Sequence, residues 1–262
     1  MSLLRDAIRA LARSGGGPRV SGRPPSGNGA SSFHVWWDTN EPLAQVSAVL
    51  EVVEPPTVAR LYFWALQVSF WSEARHEGGG HTGLQWNQRH AESTAVNWGG
   101  YYQAGGILPG SDSPLPSGPS DPNTRDFPWV PGARYRFTIG PRLVGEGDES
   151  LWPARIEGLD TGEKVEIRRL TCPGDHLRGP VVWSEIFADC DHPSVAVRWS
   201  ELTGVTTGGE RVAITKARVS YQSDQDGGCA NTTVLVDGSG IVQRSNSERT
   251  TRHNSTLAWD ER

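Results

Sequence analysis

The feature that most constrains the fold is a series of about a dozen short, strand-like segments between Ser31 and the C-terminal region. Segments such as "SFHVWWDT", "AQVSAVLEVV" and "RVAITKARVSYQ" are rich in Val, Ile, Thr and aromatic residues. Gly, Pro, Asn and Asp separate them, and "LDTGEKVEI" and "VDGSGIV" have the residues of hairpin turns. No convincing helix-period segment interrupts the series, so the sequence predicts an all-β protein, an antiparallel sandwich or barrel.

The first 30 residues differ from the rest. Residues 2–13 predict a short amphipathic helix, either a tethered helix with frayed ends or one that docks on a partner or membrane surface. Residues 14–30 have the Gly/Pro/Ser composition of a flexible linker. We therefore divide the chain into residues 1–30, helix and linker, and residues 31–262, a single β-sandwich domain.

Charge and hydropathy limit the classes of partner. The net charge of -5 argues against nucleic acid. No apolar run approaches the roughly 20 residues that a transmembrane helix needs. The N-terminal stretch lacks the uninterrupted apolar core of a signal peptide, which predicts a cytoplasmic location and leaves export by another route open. The odd cysteine count predicts neither a disulfide framework nor a zinc site, although one disulfide stays open in an exported protein.

The stretch "GGGHTGLQWN" indicates a half-buried strand with an unusual polar face. His81, Gln85 and Asn87 alternate with Thr82, Leu84 and Trp86. An imidazole and two amides recognise hydrogen-bonding partners better than they solvate a surface. We expect this face to line a ligand-binding groove with three polar residues of other strands, namely Asn97, Glu185 and Arg198.

Aromatic residues supply further candidates. Of the 11 tryptophans, Trp98 in "NWGGYY" and Trp129 in a long loop are candidates for stacking on a flat ligand, together with Tyr101. The loop, residues 105–132, holds seven prolines and five glycines. Loops of this length are often functional lids or binding loops, and the alternative is a disordered insertion.

Glu185 is the candidate catalytic residue. In "VVWSEIFAD" it shares a face with Trp183 and Phe187, and apolar neighbours raise the pKa of a carboxyl group. Glu185 could act as an acid, or it could be the buried ion-pair partner of Arg198 on the next strand. Asp189 lies about 13 Å from it along a strand, too far for the carboxylate pair of a glycosidase.

The order of short motifs resembles a known family. "HTGLQW", "RYRF", the W-x-x-x-I of "LWPARI", the hairpin "DTGEK", "WSEIF" and "RWSEL" extend over roughly residues 60–222. This order resembles the bacterial domain of unknown function 3472 and, more broadly, concanavalin-like jelly-roll sandwiches. The resemblance implies a two-sheet antiparallel sandwich and a glycan-related role. By analogy with such sandwiches it allows a calcium ion, whereas the residues themselves indicate no cofactor and no metal site.

Three functions follow from these observations. The favoured prediction is a carbohydrate-binding or carbohydrate-recognising protein whose ligand is a glycan or another polar small molecule. The first alternative is a polysaccharide-active jelly-roll enzyme, a lyase or a glycoside hydrolase. The second alternative is a structural or interaction domain. Whether the protein is an enzyme, and whether it forms homo-oligomers, stays open at this point.

Overall fold

The predicted all-β class is confirmed by a computed structural model, which describes residues 17–116 and 121–260. The predicted N-terminal helix at residues 2–13 lies outside the described residues. Two single-turn 3₁₀ helices, Ala91–Ser93 and Glu146–Asp148, lie between strands. The strands are β1 Ser31–Trp37, β2 Leu43–Glu54, β3 Tyr62–Ser72, β4 Arg75–Trp86, β5 Thr94–Tyr102, β6 Thr124–Asp126, β7 Arg134–Ile139, β8 Leu143–Val144, β9 Ser150–Gly158, β10 Lys164–Thr171, β11 His176–Ile186, β12 Val195–Thr206, β13 Arg211–Ala213, β14 Lys216–Tyr221, β15 Thr232–Asp237, β16 Gly240–Ser245 and β17 Thr256–Ala258.

The strands form two runs of antiparallel pairs. The first run has the order β17-β14-β1-β11-β3-β4-β5-β6. The second has the order β15-β16-β12-β2-β7-β9-β10, with the short strands β13 on β12 and β8 on β9. One residue pair, Leu177 with Leu43, connects the two runs.

Alternation along the strands gives each run one apolar face. In β1, Phe33, Val35 and Trp37 are buried, whereas the residues between them are partly exposed. Both runs contribute to one hydrophobic core, so their apolar faces pack against a common interior. Its largest fully buried side chains include Trp64, Trp98, Trp152, Trp199, Tyr62, Phe33, Phe70 and Phe137. The opposite face of the first run carries the candidate site.

A disulfide joins Cys190 to Cys229, and Cys172 is a buried thiol. Residues beside the disulfide bind the segment before β1. The backbone N–H of Cys190 donates to the carbonyl oxygen of Gly22 at 2.8 Å, and that of Ala230 donates to Arg19 at 2.6 Å. Residues 17–30, which have the composition of a linker, therefore contact the β-structure through backbone hydrogen bonds.

Described residues of the long loop between β5 and β7 contact the core. Strand β6 lies within it and pairs with β5. The indole of Trp129 packs against Trp64 and Trp86 at centroid distances of 5.9 Å and 6.2 Å. Within the ranges that the structure describes, no helix is long and apolar enough to cross a membrane.

Candidate functional site

The candidate site lies on the face of the first run that points away from the core. Residues that pair directly across antiparallel strands point to the same side of a sheet. Glu185 pairs with Phe63, and Phe63 pairs with Gln85, so Glu185 and Gln85 lie two strands apart in one row. Two interstrand spacings separate their backbones by about 10 Å. We call this line of paired residues the Glu185 row; its members are Ser32, Glu185, Phe63, Gln85, Ala95 and Asp126.

The Glu185 carboxyl group has neutral hydrogen-bond partners. Asn28 Nδ2 donates to Oε1 at 3.1 Å, and the Ser32 hydroxyl donates to the same oxygen at 3.4 Å. Burial raises the pKa of Glu185, and the bonds from Asn28 and Ser32 oppose that rise. Among the described residues, no Arg, Lys or His forms an ion pair with it. Glu185 can therefore hold or release a proton in a range closer to neutrality than an ordinary glutamate.

A chain of hydrogen bonds fixes the orientation of the Gln85 carboxamide. The backbone N–H of Arg89 donates to Asn87 Oδ1 at 3.2 Å, so Asn87 presents its Nδ2 donor to Gln85 Oε1, at 2.9 Å. Because Oε1 is engaged as the acceptor, Nε2 of Gln85 is the group left to donate elsewhere. Asn87 is thus a supporting residue for Gln85.

An aromatic strip lies beside the Glu185 row. The ring of Phe63 lies 4.8 Å from that of Trp183 and 5.6 Å from that of His81, which belong to the next two rows. The Phe63 ring is therefore directed along the strands, away from the line between Glu185 and Gln85. Trp36 packs on the same cluster, and His34 stacks on Trp36 at 5.8 Å.

The two histidines of this strip are neutral over a wide pH range. Burial among the rings lowers the pKa of His34 to about 4 and that of His81 to about 4; the negative charge of Asp121 opposes the shift at His81. Both imidazoles touch Trp183, at 6.5 Å and 5.8 Å between ring centroids. The strip is thus a largely apolar surface above about pH 4.

Gln67 is a site residue that sequence reasoning missed. Its Oε1 accepts from the indole N–H of Trp183 at 3.0 Å, and its Nε2 donates to the Tyr101 hydroxyl at 3.4 Å. In the sequence, Gln67 was only a polar interruption of an apolar run. Its alternation with Leu66 and Val68 was the available signal, because it puts the amide on the same face as Glu185.

Four of the predicted site residues share the outer face, and two more lie at its margin. His81, Gln85, Asn97 and Glu185 project from neighbouring strands of the first run. Tyr101 lies at the exposed end of the same face, 40% exposed. Asn87 follows β4 and binds Gln85, as described above. Asn97 is buried, and its Nδ2 donates to the Thr124 hydroxyl at 3.1 Å.

Two predicted stacking residues lie in the core instead. Trp98 is fully buried, and its indole N–H donates to the carbonyl oxygen of Trp152 at 3.0 Å. Trp129 is 3% exposed and donates to the carbonyl oxygen of Gln85 at 3.0 Å. The glycines beside Trp98 admit close packing of its neighbours rather than a flat ligand. The prediction that these two indoles stack on a ligand is wrong.

Arg198 was also placed wrongly by the sequence. It lies on β12 in the second run, and its Nε donates to Asp237 at 3.1 Å. It therefore neither shares the face of Glu185 nor pairs with it. The two residues are close in sequence but belong to different runs, which alternation alone does not reveal. Within residues 17–116 and 121–260, no three His, Cys, Asp or Glu side chains are grouped closely enough to hold a metal ion.

Comparisons with known proteins give structural neighbours only. No family model matches the chain, and no curated protein matches it. Among solved structures, the chain is similar to SCP-B, a member of the eqolisin family of peptidases, in a complex with the tripeptide Ala-Ile-His. It is also similar to scytalido-glutamic peptidase with a peptide-based transition-state analogue. Each alignment has a TM-score of 0.44 and 13% identity, and covers 82% of this chain and 97% of the other.

These neighbours correct the function predicted from the sequence. They are peptidases, whereas the sequence predicted a carbohydrate-binding protein or, as alternatives, a polysaccharide-active enzyme or an interaction domain. They give no support to the glycan ligand that the sequence predicted. The motifs that suggested it describe strands and hairpins, which proteins with unrelated chemistry share.

Proposed function

We propose that this protein hydrolyses peptide bonds, with Glu185 as the acid–base group and Gln85 as the donor to the substrate carbonyl oxygen. One observation carries the proposal. A carboxyl group with a raised pKa and neutral partners lies in the same row as a carboxamide whose donor end is left to bind a ligand. Acyl transfer from an amide needs these two functions, a proton carrier and an oxyanion donor.

The reaction can be written with these two residues and one water molecule. Ionised Glu185 accepts a proton from water as the water oxygen attacks the carbonyl carbon. Gln85 Nε2 donates a hydrogen bond to the carbonyl oxygen as negative charge develops there. Protonated Glu185 then gives its proton to the amide nitrogen, the C–N bond breaks, and an acid and an amine leave. The carboxylate is regenerated for the next turnover.

The row also argues for an amide rather than a glycoside as substrate. Glycosidases use two carboxyl groups about 5 to 9.5 Å apart. The other carboxylate of the Glu185 row, Asp126, lies four interstrand spacings away, about 19 Å. It is also bound to His90 Nδ1 at 2.6 Å. The gap between Glu185 and Gln85 spans about 10 Å between backbones, which leaves room for a peptide group and a water molecule.

The aromatic strip supports a peptide as the ligand. An extended chain that crosses the Glu185 row would place alternate side chains toward Trp183 and Trp36, which can bury large apolar groups. Gln67 and Tyr101 offer polar groups at the far side of the strip for peptide N–H and C=O groups. We take the two runs of strands to be the layers of a two-sheet sandwich, with this face on the outside of the first run.

The disulfide indicates the kind of cellular compartment in which the protein acts. Disulfides persist in oxidising environments and are rare in the cytosol of most organisms. The bond between Cys190 and Cys229 therefore supports action outside the reducing cytosol. The disulfide does not support the cytoplasmic location that the N-terminal stretch predicted.

Hydrolysis of unfolded casein tests the proposed function. New amino groups are measured after incubation from pH 3 to pH 7 with wild type, Glu185→Gln and Glu54→Gln, the last a matched control on another surface. We expect wild type and Glu54→Gln to release amines at the same rate and Glu185→Gln to lose about 10² to 10⁴-fold. Equal rates for wild type and Glu185→Gln, or no release by any of the three proteins, would reject the proposal.

A further inference from the structure

We infer that residues 19–30, a segment we call the strap, position the Glu185 carboxyl group for hydrolysis through Asn28. This inference rests on the proposed function and assigns a positioning residue to it. Asn28 is the one residue of the strap that donates a side-chain hydrogen bond to Glu185 among the described contacts. The Gly/Pro/Ser composition of the strap is that of a flexible linker, so the sequence did not predict its contacts with the β-structure.

Hydrogen bonds within the strap fix the orientation of the Asn28 carboxamide. The backbone N–H of Ala30 donates to Asn28 Oδ1 at 3.1 Å, and the Ser26 hydroxyl bonds the same oxygen at 3.1 Å. A backbone N–H is an unambiguous donor, so Oδ1 is the acceptor and Nδ2 must face Glu185. The turn therefore presents a donor, and not an acceptor, to the carboxyl group.

The strap is fitted closely to the β-structure. Gly22 accepts from the backbone of Cys190, and its own N–H donates to Asp191 Oδ1 at 3.0 Å. At Gly227, which has φ +90°, an added Cβ would lie 2.4 Å from the backbone nitrogen of Ser26. The anchor points thus lie beside both cysteines of the disulfide and leave the strap little freedom to shift.

The consequence for Glu185 is directional. Asn28 and Ser32 both bond Oε1, which leaves Oε2 as the oxygen that faces water and substrate. A fixed oxygen is what efficient proton transfer requires, because the acceptor must lie within hydrogen-bond reach of the attacking water. Asn28 acts through Glu185 and makes no contact with the reacting atoms, so it is a positioning residue.

Two substitutions at Asn28 separate positioning from a purely structural role. Asn28→Ala removes the donor, and Asn28→Asp replaces it with a second carboxyl group. Gly27→Ala is the matched control, since an added Cβ there meets no atom within 4 Å. Each protein is labelled with ¹³C at the glutamate carboxyl carbons and titrated by NMR, and Glu185→Gln identifies the Glu185 signal.

We expect the Glu185 titration midpoint to move to higher pH in Asn28→Ala and further in Asn28→Asp, with Gly27→Ala unchanged. With casein as substrate, we expect kcat to fall about tenfold in Asn28→Ala with little change in KM. An unmoved midpoint in both Asn28 variants, or faster hydrolysis by Asn28→Ala, would overturn the inference; the second result would mean that the strap obstructs the site. If the midpoint shifts in the Asn28 variants but wild type does not hydrolyse casein, the contact between Asn28 and Glu185 is supported and only the proposed function is rejected.

Discussion

Glu185 and Glu54 are both carboxylates at β-strands, yet their surroundings have opposite effects. Arg244 Nη1 lies 2.5 Å from Glu54 Oε1, and Ser194 donates to its other oxygen at 2.9 Å. These partners, the Arg244 hydrogen bond above all, hold the pKa of Glu54 below its usual value. Burial without a cationic partner raises the pKa of Glu185. The arginine partner of Glu54 favours its charged form, whereas the buried Glu185, among neutral donors, keeps its proton to a higher pH than an ordinary glutamate.

The largest effect on stability is expected from removing the disulfide. Residues at and beside its two cysteines bind the strap, which contacts Glu185; Glu54 has no contact with the strap among the described hydrogen bonds. The bond closes a loop of 39 residues. Replacing both cysteines, Cys190→Ser with Cys229→Ser, should lower the free energy of unfolding by about 4 kcal/mol, because the unfolded chain regains the entropy of the open loop. Urea unfolding measures the change, and wild type with a reducing agent should approach the double variant. A difference below about 1 kcal/mol would show that the strap and its anchors are stable without the bond.

Removing the oxyanion donor at the Glu185 site should lower activity, whereas a matched change beside Glu54 should not. Gln85→Ala should lower kcat on casein by about 10² to 10³-fold, the cost typical of losing one such donor. Ser194→Ala, which removes a hydroxyl from Glu54, is the matched control and should leave kcat unchanged. Equal activities of wild type and Gln85→Ala would remove Gln85 from the mechanism.

The histidines beside Glu185 should make stability depend on pH. The pKa of His34 and His81 is about 4 in the folded protein, below the 6.5 of an unfolded chain, so the unfolded state binds more protons between these values. The contribution of the neutral histidines to the free energy of unfolding is therefore fully present above pH 6.5. It is lost as pH falls toward 4, by about 3 kcal/mol for each histidine. His81→Gln should flatten the unfolding free energy across this window. An unchanged pH dependence would contradict the neutral state of His81.

The smallest expected effects are the changes in stability when Glu54 or Glu185 is replaced by glutamine. Glu54→Gln should destabilise the protein at pH 7 by roughly 1 kcal/mol or less, because the pair is partly exposed. Since the pKa of Glu54 is lowered, this contribution is present above about pH 4.5 and is lost as pH falls through the folded pKa. Thermal melts at pH 7 and pH 3 measure it, and an equal loss at both pH values would contradict the ion-pair origin.

Glu185→Gln should behave in the opposite way. The pKa of Glu185 is raised, so its protonated form favours folding at acidic pH and that contribution is lost as pH rises through the folded pKa. At pH 7 the variant should melt at or above the temperature of wild type. The ion pair with Arg198 that the sequence suggested would instead have required a clear drop. A drop of several degrees at pH 7 would therefore restore a structural role for Glu185.

Local patterning predicted the strands and the face of the site. Alternation in "HTGLQW" and "VVWSEIF" correctly gave the sides on which His81, Gln85 and Glu185 project, because side-chain direction in a strand depends only on sequence parity. The adjacency of β3, β4 and β11 depends on pairing between distant segments, which parity does not encode. Arg198 was therefore assigned to the wrong run of strands.

Other misses arise from composition. Gly, Pro and Ser marked residues 14–30 as a linker, yet Asn28 within it binds Glu185, since backbone hydrogen bonds hold a segment regardless of its side chains. Trp98 and Trp129 were chosen because glycine and loop residues surround them, but large indoles gain most by burial. Gln67 was missed because a single amide in an apolar strand has no motif of its own.

The most direct measurement is a parallel titration of the two carboxylates. Wild-type protein with ¹³C-labelled glutamate carboxyl carbons is followed by NMR from pH 2 to pH 8, and Glu185→Gln and Glu54→Gln identify the two signals. We predict that Glu185 titrates above the usual 4.5 and Glu54 below it. A Glu185 midpoint at or below 4.5 would show that its carboxyl group is stabilised in the charged form, and would contradict its role as the proton carrier of this site.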